Sequence, residues 1–125
     1  MASQHFLKEN RLCSSRRIET LFSEGERLYE FPFKAIWLEN NTSESRLKVA
    51  ISVPKKRLSK ASQRNHIKRL IREAYRKQKF FLVDKLLQEN KSIHLMLVYT
   101  LPSILSFAEI EDKISVTLQR LADEV

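Results

Sequence analysis

The residues best suited to chemistry in this sequence are the cations of residues 64–76. On a helical wheel of about 100° per residue, they share an arc of about 140° with one amide side chain. The adjacent arc of about 100° is apolar and contains Ile67, Leu70, Ile71 and Ala74. The cationic arc contains Arg64, Asn65, Lys68, Arg69, Arg72 and Arg76. This pattern predicts a helix with one face in the core and another that can bind a polyanion.

Arginine dominates the cationic arc, and its planar guanidinium suits two-point contact with phosphate. Cations four residues apart repel one another, so this face lowers helix stability until an anion neutralises it. Glu73 is the acid of this segment, and we expect it to pair with Arg69 at the i,i+4 spacing. Asn65 could contact a base edge or a ribose hydroxyl, or it could cap the helix locally.

A basic helix has two other common uses. A merely solvated face usually mixes acidic and basic residues, which this arc does not. A helix that lies on a membrane surface needs a broad apolar face. The apolar stripe here is narrow, lacks Trp and Phe, and is needed by the core. A nucleic-acid backbone is therefore the favoured ligand.

The positive charge of the chain is concentrated in one segment. Residues 54–79 contain eleven Lys or Arg and one acid, a net charge of +10. The remaining residues contain 12 bases and 14 acids, a net charge of −2, which gives +8 for the whole chain. A field localised in this way attracts polyanions and speeds their encounter. It predicts a dedicated binding surface.

Periodicity predicts the elements that position this surface. Alternating apolar residues predict strands over residues 31–38, 47–53 and 93–100, and helical spacing predicts flanking helices over residues 15–24 and 106–121. The order is α-β-β-α-β-α, with a helix between the last two strands. A βαβ unit and a mixed sheet follow, which is an α+β two-layer sandwich. We expect a single RNA-binding domain over residues 1–125, with residues 1–12 flexible.

The local chemistry of turns and caps refines this prediction. Pro32 indicates an edge strand, and a hairpin is expected between the first two strands. Gly25 is expected in the left-handed conformation that ends many helices. Capping residues precede two helices: Ser59 or Ser62 for the basic helix, and Ser106 for the last.

Several classes of site are disfavoured by composition. Cys13 is the single cysteine, so no internal disulfide can form. Gly25 is the single glycine, which excludes a Walker-type phosphate loop. The three histidines fall on different predicted elements, which disfavours a metal site. No run approaches the length of a membrane span and no signal peptide is visible, so we expect a cytoplasmic protein that does not bind membranes.

One stretch of the sequence carries a family resemblance. Residues 64–73 have Arg-Asn-x-x-Lys-Arg-x-x-Arg-Glu, preceded by Ser52-Val53 and Lys55-Lys56. This combination resembles the signature of the bacterial ribonuclease P protein subunit. Weaker similarity extends to Arg11-Leu12, to Leu21-Phe22 with Gly25, to Phe33, and to the strand before Pro102. The resemblance therefore covers most of the chain, with its specific part in residues 52–75.

The resemblance implies a fold and a division of labour. The family fold is an α–β sandwich with a left-handed βαβ crossover, whereas right-handed crossovers are the general rule. Its RNA partner, with Mg²⁺ bound mainly by that RNA and the substrate, hydrolyses precursor transfer RNA to release the 5′ leader. The protein would supply no catalytic side chain and no tightly bound metal. It would be a monomer in a 1:1 complex with ribonuclease P RNA.

By position, the resemblance assigns two sets of binding residues. Contacts with ribonuclease P RNA are expected from Arg64, Lys68, Arg69, Arg72 and Arg76, together with Lys55 and Arg57. A cleft for the single-stranded leader is expected to contain Phe22, Phe33, Trp37, Ser52, Lys56 and Asn65. In that cleft, Trp37 would offer an additional surface on which a base can stack.

Three departures from the family pattern bear on the leader cleft. Ile18 stands where relatives often have Phe, Ile36 stands where Tyr is common, and Pro54 replaces a small polar residue. We therefore expect leader stacking to be weaker or rearranged.

Two alternatives remain open from sequence. A ribosomal-type structural RNA-binding protein would share the basic helix without an aromatic cleft. A protein-only nuclease would need acids converging on the basic face, where Glu73 is the acid present.

Overall fold

A four-stranded mixed sheet organises the chain in a computed structural model that describes residues 15–39 and 46–125. The strands of this part are β1 (Glu26–Glu30), β2 (Phe33–Glu39), β3 (Leu47–Ser52) and β4 (Ile93–Tyr99). Their spatial order is β1-β2-β4-β3. β2 pairs antiparallel with β1 and β4, whereas β3 pairs parallel with β4.

Helices cover both faces of the sheet to different extents. They are α1 (Ser15–Glu24), α2 (Ala61–Gln78), α3 (Phe80–Gln88) and α4 (Phe107–Glu124). The main core lies between one sheet face and α2, α3 and α4, and it includes Phe33, Tyr75 and Leu118. On the opposite face, Leu21 of α1 packs on Ile36 and Met96. The predicted α+β class is confirmed, with α1 as a partial cover on the second face of a two-layer sandwich.

The βαβ unit predicted from the last two strands is present. Parallel strands need a long crossover, and α2 and α3 supply it between β3 and β4. The left-handed sense of this crossover stays a prediction from the family resemblance.

The predicted hairpin between the strands at residues 31–38 and 47–53, which correspond to β2 and β3, is wrong because these two strands are not neighbours in the sheet. β2 instead forms its hairpin with β1, through a turn at Phe31-Pro32 that contains a cis peptide bond. Sequence periodicity missed β1 because this five-residue strand buries Leu28 alone. Pro32 lies in the turn and removes no ladder hydrogen bond, so β2 can be an interior strand and not the predicted edge.

Of the N-caps predicted for α2 and α4, the one for α4 is confirmed and the one for α2 is wrong. Ser106 caps α4 in a capping box with Glu109, as predicted. The N-cap of α2 is Lys60 and not Ser59 or Ser62, and its side chain makes no capping hydrogen bond. α3, which periodicity also missed, follows α2 almost without interruption.

Gly25 follows α1 because a side chain would not fit there, and not because the backbone adopts the predicted left-handed conformation. Its φ is not positive, and the left-handed residue occurs after α3, at Asn90. A Cβ at Gly25 would lie 2.6 Å from the Leu21 carbonyl oxygen and 2.8 Å from Ile36 Cγ2. Glycine therefore permits the close approach of the α1 end to β2.

Some predictions concern residues outside the described ranges. They are the expected flexibility of residues 1–12, the role of the single cysteine Cys13, and the similarity at Arg11-Leu12. Across residues 15–39 and 46–125, no helix is both long enough and apolar enough to cross a membrane.

Replacing Gly25 with Ala should destabilise the protein by about 1 to 3 kcal/mol, because the added methyl group overpacks the junction of α1 and β2. Urea unfolding measures this loss. Ser23→Ala is the matched control, since Ser23 is exposed near the same helix end and its loss should change stability by less than about 0.5 kcal/mol. Equal stability of Gly25→Ala and wild type would contradict the steric explanation.

Candidate nucleic-acid interface

The wheel predicted for the basic helix is confirmed by burial. Ile67, Ile71, Ala74 and Tyr75 of α2 are buried in the main core, and Leu70 packs against its edge. Burying this stripe turns the cationic arc away from the core. Arg69 and Asn65 are exposed, and the other predicted cations of the arc are partly exposed: Arg64, Lys68, Arg72 and Arg76.

Carboxylates neutralise little of this charge. The predicted pair of Glu73 with Arg69 is wrong, because Glu73 pairs with Arg76 one turn away. The Arg76 guanidinium donates hydrogen bonds to Glu73 and holds the pKa of that carboxyl below its usual range. Within residues 15–39 and 46–125, no carboxylate forms an ion pair with Arg64, Lys68, Arg69 or Arg72. These four side chains can neutralise phosphates.

Arg64 also has a structural role. Its Nη1 donates to the carbonyl oxygen of Leu58 at 2.9 Å and to that of Ser59 at 2.8 Å. Both acceptors lie in the segment that joins β3 to α2. Arg64 therefore ties the loop to the start of α2, where the N-cap side chain makes no hydrogen bond of its own.

α1 covers only part of its sheet face, and a groove lies on the part that it leaves open. It has a volume of about 270 Å³ and is lined in part by Phe22, Tyr29, Lys34, Ser52, Lys56 and Arg57. Its floor follows the strand register, since Tyr29 lies opposite Lys34, Lys34 opposite Val98, and Val98 opposite Ser52. One residue from every described strand thus contributes to a single row across the sheet.

The structure brings together half of the predicted leader cleft. Phe22, Ser52 and Lys56 line the groove, as does Arg57, which was predicted to contact the other RNA. Asn65 is exposed on α2 but is absent from the groove lining. Lys55 is exposed in the same loop as Lys56.

Phe33 and Trp37 do not belong to this groove. Phe33 is 1% exposed and packs edge-to-face on Tyr99, and Trp37 is 8% exposed in the main core. Their predicted role in stacking on leader bases does not fit the structure, because both side chains point to the sheet face that α2 and α4 cover. Alternation separated the two faces of β2 correctly, but it could not show which face stays open.

Five groove residues escaped the sequence analysis: Tyr29, Lys34, Val98, Tyr99 and Thr100. Tyr29 was missed together with β1. Strict alternation along β2 puts Lys34 on the face opposite Phe33, and this is the signal in the sequence that could have identified it. The Lys34 ammonium lies 5.6 Å from the centroid of the Tyr29 ring, a cation–π geometry.

The groove is cationic and offers aromatic surfaces. Of the charged residues in the described ranges, Lys34, Lys56 and Arg57 line it and no carboxylate does. At the other end of the sheet, a cavity of about 230 Å³ has a lining in which four glutamates outnumber one lysine: Glu24, Glu26, Glu39, Glu124 and Lys91. A phosphate chain with stackable bases fits the first of these environments and is repelled by the second.

A metal site is not visible in the described part of the chain. No group of three or more His, Cys, Asp or Glu residues there is arranged to hold a metal ion. His66 contacts Arg69, and the Nδ1 of His94 accepts a hydrogen bond from Arg17 Nε at 2.9 Å.

Comparison with known proteins gives concordant matches. The family model described as Ribonuclease P matches residues 6–122. The ribonuclease P protein component of Porphyromonas gingivalis is 31% identical over 121 residues, which cover 94% of this chain and 87% of that protein. The RNase P protein structure from Thermotoga maritima superimposes with a TM-score of 0.70 at 25% identity, covering 88% of this chain and 96% of that one. The RNase P protein structure from Staphylococcus aureus has a TM-score of 0.69 at 20% identity, covering 90% and 94%, and shows the fold alone.

Because Arg64 bridges the loop and the helix, Arg64→Ala should lower the free energy of unfolding by about 1 kcal/mol even without RNA. Lys68→Ala is the comparison, since Lys68 makes no such bridge and its loss relieves repulsion along the helix. Its effect should stay within about 0.5 kcal/mol. Denaturant titration of both variants measures the difference, and equal stabilities would argue against the structural role of Arg64.

Proposed function

Since this chain belongs to the ribonuclease P protein family, we propose that it acts as the protein subunit that binds ribonuclease P RNA and the 5′ leader of precursor transfer RNA. The RNA partner carries out the endonucleolytic cleavage that gives the mature 5′ end. The protein assists by holding both RNAs in a fixed relation.

The observation that carries this proposal is the connection between two surfaces. The arc of α2 has at least four cations without carboxylate partners in the described ranges, which suits a folded RNA with closely spaced phosphates. The groove has aromatic and cationic walls, which suit a single strand with unstacked bases. Lys56 and Arg57 lie in the short segment that joins β3 to α2, so the two surfaces adjoin.

The groove favours a leader-binding subunit over a ribosomal-type structural protein. A structural RNA-binding protein needs the cationic helix alone. Here, exposed aromatic side chains and three cations line a concave surface on a different element from that helix. A second RNA segment, single-stranded and separate from the one on α2, accounts for that surface.

Glu73 is a poor candidate for a nuclease carboxylate. Its hydrogen bond to Arg76 and the lowered pKa of its carboxyl disfavour proton abstraction near neutral pH. Among the described residues, no group of three or more His, Cys, Asp or Glu forms an all-protein metal cage. We place the Mg²⁺ of the holoenzyme mainly on the RNA and the substrate, and the protein as a monomer in a 1:1 complex.

Leader removal from precursor transfer RNA at low Mg²⁺ tests the proposal. We expect efficient cleavage only when the protein and ribonuclease P RNA are mixed, with Lys68→Ala reducing it by about tenfold at limiting protein, since one charged contact is lost. Glu73→Gln should leave cleavage nearly intact. Cleavage by the protein alone would establish the nuclease alternative, and tight RNA binding without any stimulation would favour the structural one.

The salt dependence of binding to ribonuclease P RNA provides a second test. The logarithm of the affinity should fall with the logarithm of the salt concentration by about 0.7 to 0.9 per phosphate neutralised. Lys68→Ala should reduce that slope by about one phosphate contact. Lys113→Ala, which removes a cation of α4, should leave the slope unchanged. Filter binding at several salt concentrations measures it, and a flat wild-type response would contradict the phosphate contacts.

A further inference from the structure

Tyr29 is a large aromatic residue that stays exposed, so packing in the core does not explain its presence. Its side chain is 63% exposed, although Leu28 beside it in β1 is buried in the main core. Tyr29 lines the groove at the edge of the sheet, and the ammonium of Lys34 lies over its ring. A cation held against a tyrosine face, where the described part of the chain places no carboxylate in the groove lining, is suited to a ligand that carries both a flat ring and a negative charge.

The row through Tyr29 defines a path across the sheet. Tyr29, Lys34, Val98 and Ser52 are successive neighbours on β1, β2, β4 and β3. Three strand spacings of 4.7–4.9 Å separate the ends of this row, so it spans roughly 14 Å. That length exceeds the width of one base, and a chain lying along the row contacts Ser52 and Tyr29 through different nucleotides.

Phe22 forms a wall beside this path. Its side chain is 44% exposed at the end of α1. Arg27 of β1 donates a hydrogen bond from Nη2 to the Phe22 carbonyl oxygen at 2.6 Å, which ties the end of α1 to the strand that carries Tyr29. The two aromatic residues are therefore fixed on neighbouring elements before any ligand arrives, which reduces the entropy lost on binding.

We propose that Tyr29 is a stacking residue for leader nucleotides remote from the cleavage site. This inference rests on the proposed function, because it assigns the cationic helix to the catalytic RNA. The Ser52 end of the row adjoins that helix through Lys56 and Arg57, and Tyr29 lies at the opposite edge of the sheet. The leader passes from the helix side toward β1, one base stacks on Tyr29, and Lys34 meets an adjacent phosphate.

A leader-length series tests the inference. Precursor transfer RNAs with no leader, a two-nucleotide leader and a leader of about eight nucleotides are titrated against the holoenzyme assembled from ribonuclease P RNA and wild-type or variant protein. Tyr29→Ala should weaken binding of the long-leader substrate by about fivefold to a hundredfold, the range of one base–aromatic stack. It should leave the leaderless substrate unchanged, and Tyr29→Phe should bind all three substrates as the wild type does.

Two further variants test whether the effect comes from a loosened β1 or from the loss of any exposed aromatic residue. Tyr29→Thr removes the ring but keeps a residue that favours strands, so it should reproduce the Tyr29→Ala effect even if alanine loosens β1. Phe80→Ala is the matched control, because Phe80 is 57% exposed and also has a lysine ammonium over its ring, at 5.8 Å. Phe80 belongs to α3, on the other side of the sheet. Its loss should not change leader binding.

The outcomes separate the inference from the proposed function. Wild-type protein that binds all three substrates equally would overturn leader binding itself, and the Tyr29 assignment with it. A wild-type preference for the long leader that survives both Tyr29→Ala and Tyr29→Thr would overturn the Tyr29 assignment alone. A loss that is equal for the leaderless substrate, or equal in Phe80→Ala, would also overturn it, because such a loss does not depend on the leader.

Discussion

Parallel pairing of β3 with β4 is the constraint on which the rest of this structure depends. Two parallel neighbours must be joined by a crossover that returns the chain to the other end of the sheet, and here α2 and α3 form it. The pairing puts the end of β3 beside the end of β4, at the groove. The chain then enters α2 directly from that point. The groove, its cationic loop and the basic helix are neighbours because one strand pair requires this path.

The charge of the protein follows the same geometry. The crossover segment carries the positive excess, and its first residues form one end of the groove. Glutamates surround the cavity at the opposite end of the sheet. A polyanion that approaches this molecule therefore meets an attractive end and a repulsive end, which orients it before contact. Outside residues 54–79 the net charge is only −2, and this sum does not reveal that the glutamates gather at one end of the sheet.

The basic helix depends on packing for its stability rather than on surface ion pairs. Its buried residues join the main core with α4, whereas its cations repel one another. Burial lowers the pKa of Lys79, and the positive charge of Arg76 near the end of α2 lowers that pKa further. Pairing of Arg76 with Glu73 and of Lys77 with Glu111 at 3.7 Å relieves the repulsion locally. The cations closer to the helix start have no carboxylate partner within residues 15–39 and 46–125, and packing in the core offsets their mutual repulsion.

Local patterns in the sequence determined the features that depend on periodicity. The wheel of α2, the apolar stripe of α4 and its capping box at Ser106 could all be predicted, because helical spacing and capping act within a few residues. The α+β class and the βαβ unit followed from the order of such elements. The cationic face of α2 could also be predicted, because a run of basic residues with Glu73 as its one acid is visible whatever the fold.

Only the tertiary structure decided which strands pair and which sheet face stays open. The alternation in β2 puts Phe33 and Lys34 on opposite faces, but it does not tell which face is buried. The packing of α2 and α4 on one face makes Phe33 a core residue and leaves Lys34 in the groove. β1 has too few buried residues to show a period, so Tyr29 could not be assigned to the site. Gly25 is required by the approach of Ile36 from a distant strand, a contact that neighbouring residues cannot reveal. These features depend on contacts between residues far apart in the chain, whereas sequence patterns report local geometry.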